Sequence, residues 1–510
     1  MKTTTKANRY DRLLARALMG ALVLLALAMT ALVAQEVPNQ LTLEDAIRLA
    51  KENNPTFLST QNDVGTADWQ VREAYGAFLP TVNAFGSAGY TEAGSQRIGT
   101  LDFGVQSTDW YSSNYSLSAS WTLNGNTLFG VQNARASRRA TEARVEAAEF
   151  NLESLVALQY MATLRMRDGV DVAQRQLDRA RQNLQIVQSR VTSGAAAGTD
   201  GKQAEVDLGR AEVGLIQAQR QQREAGAMLA EQVGIVVYSD EVRLASEFAV
   251  FQPTWDREAL ITQALTSHPS LNAVEAQVGA ARASARQAKS QYFPSLSITT
   301  ALRGNTLQAL NDEFITNSVT DQQTARRSSC QFNNDLNARL TQPLPGFEFQ
   351  DCGGFVATPE MLQSAVQQNS AFPFNFTKTP VSVSLNLSIP IFTGFTRQRQ
   401  VAQAQQVAED AVHSQRAEEL RLRTAVTQAY DNLVAAYQVV GLEERNQQVA
   451  EEQLQLQQRR YALGAAALLE LMDAQTSVTT ADQAYLTAVY DFHWNLIRLE
   501  AALGQPLRTR

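Results

Sequence analysis

Glu470 and Asp473 stand three residues apart, a spacing that puts two carboxylates on one face of any helix that carries them. Asp200 holds in an earlier segment the place that Glu470 holds in the later one. Carboxylates so placed have two possible uses. Gathered around an opening, they favour cations and make passage sensitive to pH and divalent ions. In the first turns of a helix they simply complement its dipole. Nothing else in the chain offers stronger chemistry. His268, His413 and His493 are the only histidines and have no partners at motif spacing; no glycine-rich phosphate loop follows a strand. The many paired carboxylates read as solvated helix faces. No catalytic, cofactor or metal site is expected, so the chain is not read as an enzyme. Cys330 and Cys352, the only cysteines, read most simply in an exported protein as a disulfide closing a surface loop, with free thiols or a metal site as the alternatives.

Positioning these residues falls to two kinds of element. From Pro380 to Ile391 the chain reads PVSVSLNLSIPI: Val381, Val383, Leu385, Leu387, Ile389 and Ile391 share one parity, and Ser382, Ser384, Asn386 and Ser388 take the other. That period of two describes a strand with one apolar and one polar face, and ten to twelve such residues are what a transmembrane β-barrel uses. Three more strands are expected at about 81–91, 114–124 and 295–303. In the second of these, Tyr115, Leu117, Ala119, Trp121 and Leu123 alternate with Asn114, Ser116, Ser118, Ser120 and Thr122. Each pair of strands leads into a long helical hairpin, at 126–233 and 394–503, turning near Gly194 and Gly464. The helix that runs to about Ala462 would be roughly 100 Å long at 1.5 Å per residue.

Residues 1–34 read as a secretory signal, basic to Arg16, apolar from Ala17 and cut after Ala34, with a retained membrane anchor as the alternative. The chain carries −7 overall and the first 34 residues carry +4, so the remainder is −11, which argues against nucleic acid as a partner. No other segment is apolar over enough length for a spanning helix, so further membrane contact must be made by strands.

Landmarks then recur at constant offsets. Pro55 and Pro80 match Pro269 and Pro294, each 214 positions later. Gly194, Asp200 and Gly234 match Gly464, Glu470 and Gly504, each 270 positions later. The chain is read as an internal tandem duplication, with a first repeat at 35–240 and a second at 241–510. The second copy has the longer strand-to-strand loop, 304–379, compared with about 92–113 in the first. It holds both cysteines and Phe347, Phe349, Phe355, Phe372, Phe374 and Phe376, which are expected to pack the loop on itself or on a barrel rim.

Four strands per chain cannot close a barrel. Three chains supply twelve, an even number within the range of outer-membrane barrels, and six helical hairpins would continue as a cylinder beneath them. The fold class is therefore mainly α with β.

This layout resembles the TolC family of outer-membrane efflux proteins. The resemblance is carried most specifically by RRYALGAAALLELMDAQTSVTTADQAYLTAVYDFHWNLIRLEAALG, Arg459 to Gly504, and extends through both copies. It implies a homotrimer with a 12-stranded β-barrel in the outer membrane, in contact with its lipid, and an α-helical barrel in the periplasm. It also implies a periplasmic adaptor, an inner-membrane pump and a substrate that passes unchanged. Glu470 and Asp473 match carboxylates that line the closed aperture, where three chains would stack two acidic rings; Asp200 is their counterpart in the first copy. Tyr461 matches a gate-tethering tyrosine, with simple packing as the alternative, and Gly194 and Gly464 are candidate adaptor contacts. Where some members carry an arginine two residues after the tip glycine, this chain has Ala466, so no aperture-closing contact is available through that position. Two other readings remain: a duct dedicated to type I protein or peptide secretion, and a structural or adhesive surface protein working through the long second loop.

Overall fold

The computed structural model describes residues 40–98, 101–106, 108–236, 243–245, 248–342 and 344–507; the segment read as a signal, 1–34, lies outside them. In chain order, β1 (Gln40–Leu41), α1 (Leu43–Asn53) and α2 (Pro55–Gly76) lead to β2 (Thr81–Thr91), the hairpin β3 (Gly94–Ile98) and β4 (Leu101–Gln106), and β5 (Trp110–Leu123). The 68-residue α3 (Gly125–Thr192) then turns into the 36-residue α4 (Gly198–Val233). There follow β6 (Arg243–Leu244), α5 (Arg257–Ser267), α6 (Pro269–Lys289), β7 (Ser295–Ala309), α7 (Asp312–Arg339), α8 (Pro359–Gln368), β8 (Thr377–Lys378) and β9 (Ser382–Ser388). The 67-residue α9 (Thr396–Ala462) and the 36-residue α10 (Leu468–Leu503) close the series.

One compact unit comprises residues 66–139 and 277–411. Its sheet runs β2–β5–β7, with β8 and β9 both paired along the far edge of β7, and every pairing is antiparallel. Register brings the apolar parities together. Val82, Ala119, Thr300 and Val383 lie in one row, with Ala84, Leu117 and Leu302 in the next; Trp121, Ile298 and Leu385 form another. This face is open: Val82 is 63% exposed, Leu117 45% and Val383 72%. The reverse face carries hydroxyls that bond across strands, Thr81 to Ser120 at 2.8 Å and Thr299 to Ser384 at 2.6 Å. Among the described residues the outer edges of β2 and β9 have no strand partner.

Several bounds differ from the sequence expectation. β5 begins at Trp110 and β7 continues to Ala309, because Trp110 pairs both Thr91 and Ala309 and so extends the ladder beyond the clean alternation. β9 spans only Ser382–Ser388, bracketed by Pro380 and Pro390, which cannot donate to a ladder. The segments expected as loops are also partly ordered. The first contains β3 and β4. The second starts only after Ala309 and contains α7, capped by Asn311 accepting from Glu313 N–H, and α8, capped by Thr358. Cys330 on α7 is bonded to Cys352. Phe347 and Phe349 pack edge to face at 5.5 Å, whereas Phe372 and Phe376 lie against strand tyrosines.

The second unit, residues 40–65, 140–276 and 412–507 of the described chain, is helical apart from the parallel pair β1–β6. One cluster joins Leu41, Ala46, Val156, Tyr160, Val233 and Ile497; Tyr160 donates to Leu41 O at 2.9 Å, and Arg167 to Leu244 O at 2.8 Å. A second cluster gathers Leu260, Val426, Leu433, Phe492 and Leu499. Both return helices end in a left-handed glycine, Gly234 (φ +81) and Gly504 (φ +79). Each presses on the junction between two short helices: a Cβ at Gly234 would sit 2.5 Å from Asn53 O, and one at Gly504 2.8 Å from Pro269 Cδ. Asn54 and His268, 214 positions apart, do the same work there. Asn54 donates to Gln232 O at 2.8 Å and accepts from Phe57 N–H at 3.0 Å. His268 Nδ1 accepts from Ser270 N–H at 3.1 Å, which places its proton on Nε2, 3.0 Å from Ala501 O.

Gly504→Ala is therefore expected to destabilise the fold by at least about 2 kcal/mol, the left-handed cost plus a backbone collision, read as a lowered thermal midpoint. Burial holds the His268 pKa below its ordinary 6.5, with Glu418 and Arg421 acting in opposite senses. The unfolded chain then binds more protons than the folded one in the window beneath 6.5, so this contribution is complete above that pH and is lost as pH falls through it. His268→Asn, borrowing the residue at the matching position, should melt with the parent at pH 7.5 and above it at pH 5; identical shifts at both pH values would refute the assignment.

Candidate aperture at the helix turns

The α3–α4 and α9–α10 turns are built alike. Gly194 (φ +74) and Gly464 (φ +78) adopt the left-handed conformation that ends a helix. Ala195 N–H returns to Arg190 O and Ala465 N–H to Arg460 O, both at 2.8 Å. The arginine at each turn also donates to the carbonyl five residues on, Arg190 to Ala195 O at 2.9 Å and Arg460 to Ala465 O at 3.3 Å. Behind the turns, Val187, Ala204, Leu454, Tyr461, Leu471, Ala474 and Val478 form a small apolar core.

Glu470 lies in the first turn of α10, exposed and 3.6 Å from Arg460 of its own hairpin. With both partners about half exposed, that ion pair contributes at most about 1 kcal/mol. Asp473 is exposed one turn further along, and Asp200 is half-buried in the first turn of α4. Tyr461, in the last turn of α9, is only 2% exposed. Arg190 of the first hairpin sits over its ring at 4.4 Å and donates to its carbonyl at 2.5 Å. Among the described residues its hydroxyl has no hydrogen-bond partner. Burial pushes the tyrosine pKa up, the nearby Asp200 charge adds to that, and Arg190 opposes it. Arg190 thus meets Tyr461 at the ring and the main chain and not at the hydroxyl, with the guanidinium over the ring face and its fork committed to carbonyls.

Behind the tips a polar seam joins the hairpins. Asp482, 1% exposed, accepts from Arg179 at 2.5 Å and from Gln447 at 2.7 Å. Asn183 donates to Gln475 at 2.6 Å and accepts from Gln458 at 3.0 Å. Farther along the same helices, Tyr490 bonds to the Asp168 carboxylate and Trp494 donates to Leu158 O at 3.2 Å. Sequence reasoning passed over these residues, although one signal was present. Leu471, Ala474 and Val478 form an apolar stripe on α10, and its next step is a charged residue, Asp482. Among the described residues no group of three or more His, Cys, Asp or Glu side chains is arranged to hold a metal ion. What the tips offer is a charged, apolar-backed pair of helix ends joined through Arg190 and Tyr461.

Comparison with known proteins bears on the family and the fold. The pyoverdine export outer membrane protein OpmQ of Pseudomonas aeruginosa is 27% identical over 263 residues, 48% of this chain and 54% of that protein. The match therefore spans about half the length of OpmQ. TolC of Vibrio cholerae is 22% identical over 471 residues, 91% of this chain and 90% of its own. Among solved structures, CusC superposes with a TM-score of 0.65 at 19% identity, covering 92% of this chain and 93% of that one. VceC of Vibrio cholerae superposes at 0.62 and 15% identity, covering 91% and 97%. These structural likenesses speak to the fold. The sequence model for the family described as outer membrane efflux protein matches residues 46–234 and 360–505, well over half of the sequence, and the chain belongs to that family.

Proposed function

We propose that three copies of this outer-membrane protein form the exit duct of a tripartite efflux system, a passive conduit across the periplasm and outer membrane that works with a periplasmic adaptor and an inner-membrane pump. The observation that carries this reading is a four-strand-wide sheet with an exposed apolar face and, among the described residues, two unpaired edges, joined to helices of 68 and 67 residues. In hydrocarbon those edges must be paired, so β9 of one copy adds to β2 of the next until twelve strands close on themselves. The hydroxyl-bearing face then lines the lumen. The two halves arise by duplication of one helix, strand, strand, hairpin unit, as the 270-residue offset between left-handed Gly234 and Gly504 supports. The turns at Gly194 and Gly464 meet the adaptor, and Asp200, Glu470 and Asp473 line the aperture. A passive wall leaves the choice of cargo to the pump.

In planar bilayers the trimer should conduct and prefer cations. Asp473→Asn should lower that preference severalfold, and Glu470→Gln by less, because Arg460 already offsets Glu470. An unchanged selectivity in the double variant would remove both residues from the aperture. Arg190→Ala deletes a cation–π contact and a charged donor to a carbonyl, together about 2–3 kcal/mol of contact between the tips. It should raise resting conductance. Arg190→Lys should fall between, since an ammonium keeps the charge and loses the fork; equal conductance in all three would mean the tips are held by something else.

A further inference from the structure

The outward face of the sheet changes character toward the end that carries the insertion between β7 and β9. Above the row of Leu117 and Leu302, the paired residues become Tyr115 with Gly304, Ser113 with Thr306, and Tyr111 with Gln308. Residues 369–378 cover this patch. Asn369 makes both backbone bonds to Ala309, at 2.9 and 2.8 Å, and Phe372 N–H donates to Gln308 at 3.0 Å. Ser113, bonded to Thr306 at 2.7 Å, donates to Pro373 O at 2.6 Å. The Phe372 ring stacks on Tyr111 at 5.1 Å and the Phe376 ring stands edge-on to Tyr115 at 4.7 Å. Gly304 makes the second contact possible, since a Cβ there would lie 2.4 Å from the Tyr115 ring and 3.1 Å from Phe376. Between these two clamped rings, Phe374 is 82% exposed.

The height of this patch matters. From Ser295 to Gly304 the strand climbs about 30 Å at roughly 3.4 Å per residue, or about 23 Å along the membrane normal at a tilt near 40°. Exposed aromatics also mark the other end of the apolar rows, Phe293 at 48% and Phe392 at 70%. Two aromatic levels thus bracket an apolar band close to the ~25 Å of outer-membrane barrels.

We propose that residues 369–378 are an outer-leaflet anchor, folded over the lipid-facing side of β5 and β7 so that Phe374 enters the headgroup boundary of the membrane. The inference rests on the barrel reading above, which makes the apolar parity the outer one. Lipid is the occupant because the patch lies over β5 and β7, the middle strands, whereas a second copy pairs through β2 and β9. The segment also supplies the acceptor that the Ser113 hydroxyl needs on a face otherwise turned to lipid.

The test uses the full-length trimer, with Cys330 and Cys352 joined, carrying one added thiol for a nitroxide spin label and reconstituted in phospholipid vesicles. Phe374→Cys, Val383→Cys on the apolar rows and Phe332→Cys on α7 are compared by relaxation with oxygen, which partitions into lipid, and with a water-soluble nickel complex. Labels at 374 and 383 should be relaxed severalfold more by oxygen than by nickel, and the label at 332 should show the reverse. A lipid signal at 383 with a water signal at 374 overturns the anchor and spares the barrel. A water signal at 383 overturns the barrel reading and the anchor with it. Protection at 374 from both reagents would place it against protein and overturn the lipid assignment.

Discussion

A peptide group facing hydrocarbon has nothing to bond to except another peptide group. Leaving one unpaired costs several kcal/mol, and a strand edge exposes a row of them. Among the described residues the sheet is four strand widths across, and β2 and β9 have no strand partner on their outer sides. The apolar rows through Leu117, Leu302 and Leu385 make water a poor medium for one face, while the open edges make lipid a poor medium for the isolated sheet. The closed twelve-strand wall proposed above would meet both demands. Pro380 and Pro390 flank β9, whose ladder is the seven residues Ser382–Ser388, so its open edge is short.

In the helical unit the opposite economy holds, and polar groups are buried. A carboxylate as enclosed as Asp482 gains little net stability from Arg179, since desolvation cancels most of the attraction. Its value is in specifying alignment. Apolar stripes on long helices tolerate sliding by a turn, whereas the bonds of Asp482 to Arg179 and Gln447, and of Asn183 to Gln475 and Gln458, each fit one register only. Three helices from two hairpins are indexed against one another at these points.

Much of this order was legible in the sequence because it follows from short-range rules. Alternating serine and aliphatic residues identified the strands, and glycines at constant offsets marked both tips and both helix ends. Other elements were hidden for physical reasons. The α7 segment has no apolar period, being mostly exposed, and its signals were only the Asn311 cap and the acids after it. The Trp110 end of β5 owes its strand state to partners on both sides, which no local pattern encodes. The seam escaped because Asp482 looks like any helical acid until the stripe it interrupts is followed. Asn54 and His268 share a role but no chemistry beyond a donor and an acceptor at the right separation, so residue identity concealed their equivalence.

The tips show how far two halves of one pattern can diverge. Arg190 and Arg460 hold matching places and make the same turn-closing bond, but Arg190 reaches across to the ring and carbonyl of Tyr461 while Arg460 stays within its hairpin at Glu470. Val191, the counterpart of Tyr461, presents no ring to receive Arg460. The first hairpin therefore reaches to the second, and among the described residues no matching contact runs the other way through these positions. Separating the hairpins at these positions would lift a guanidinium from a buried ring, a contact of modest strength. The seam behind it contains a nearly inaccessible carboxylate, and leaving such a group unpaired costs more than parting an exposed contact. The helices are thus fixed in register by the seam and joined nearer the turns by a small apolar core, with the Arg190–Tyr461 contact at its edge.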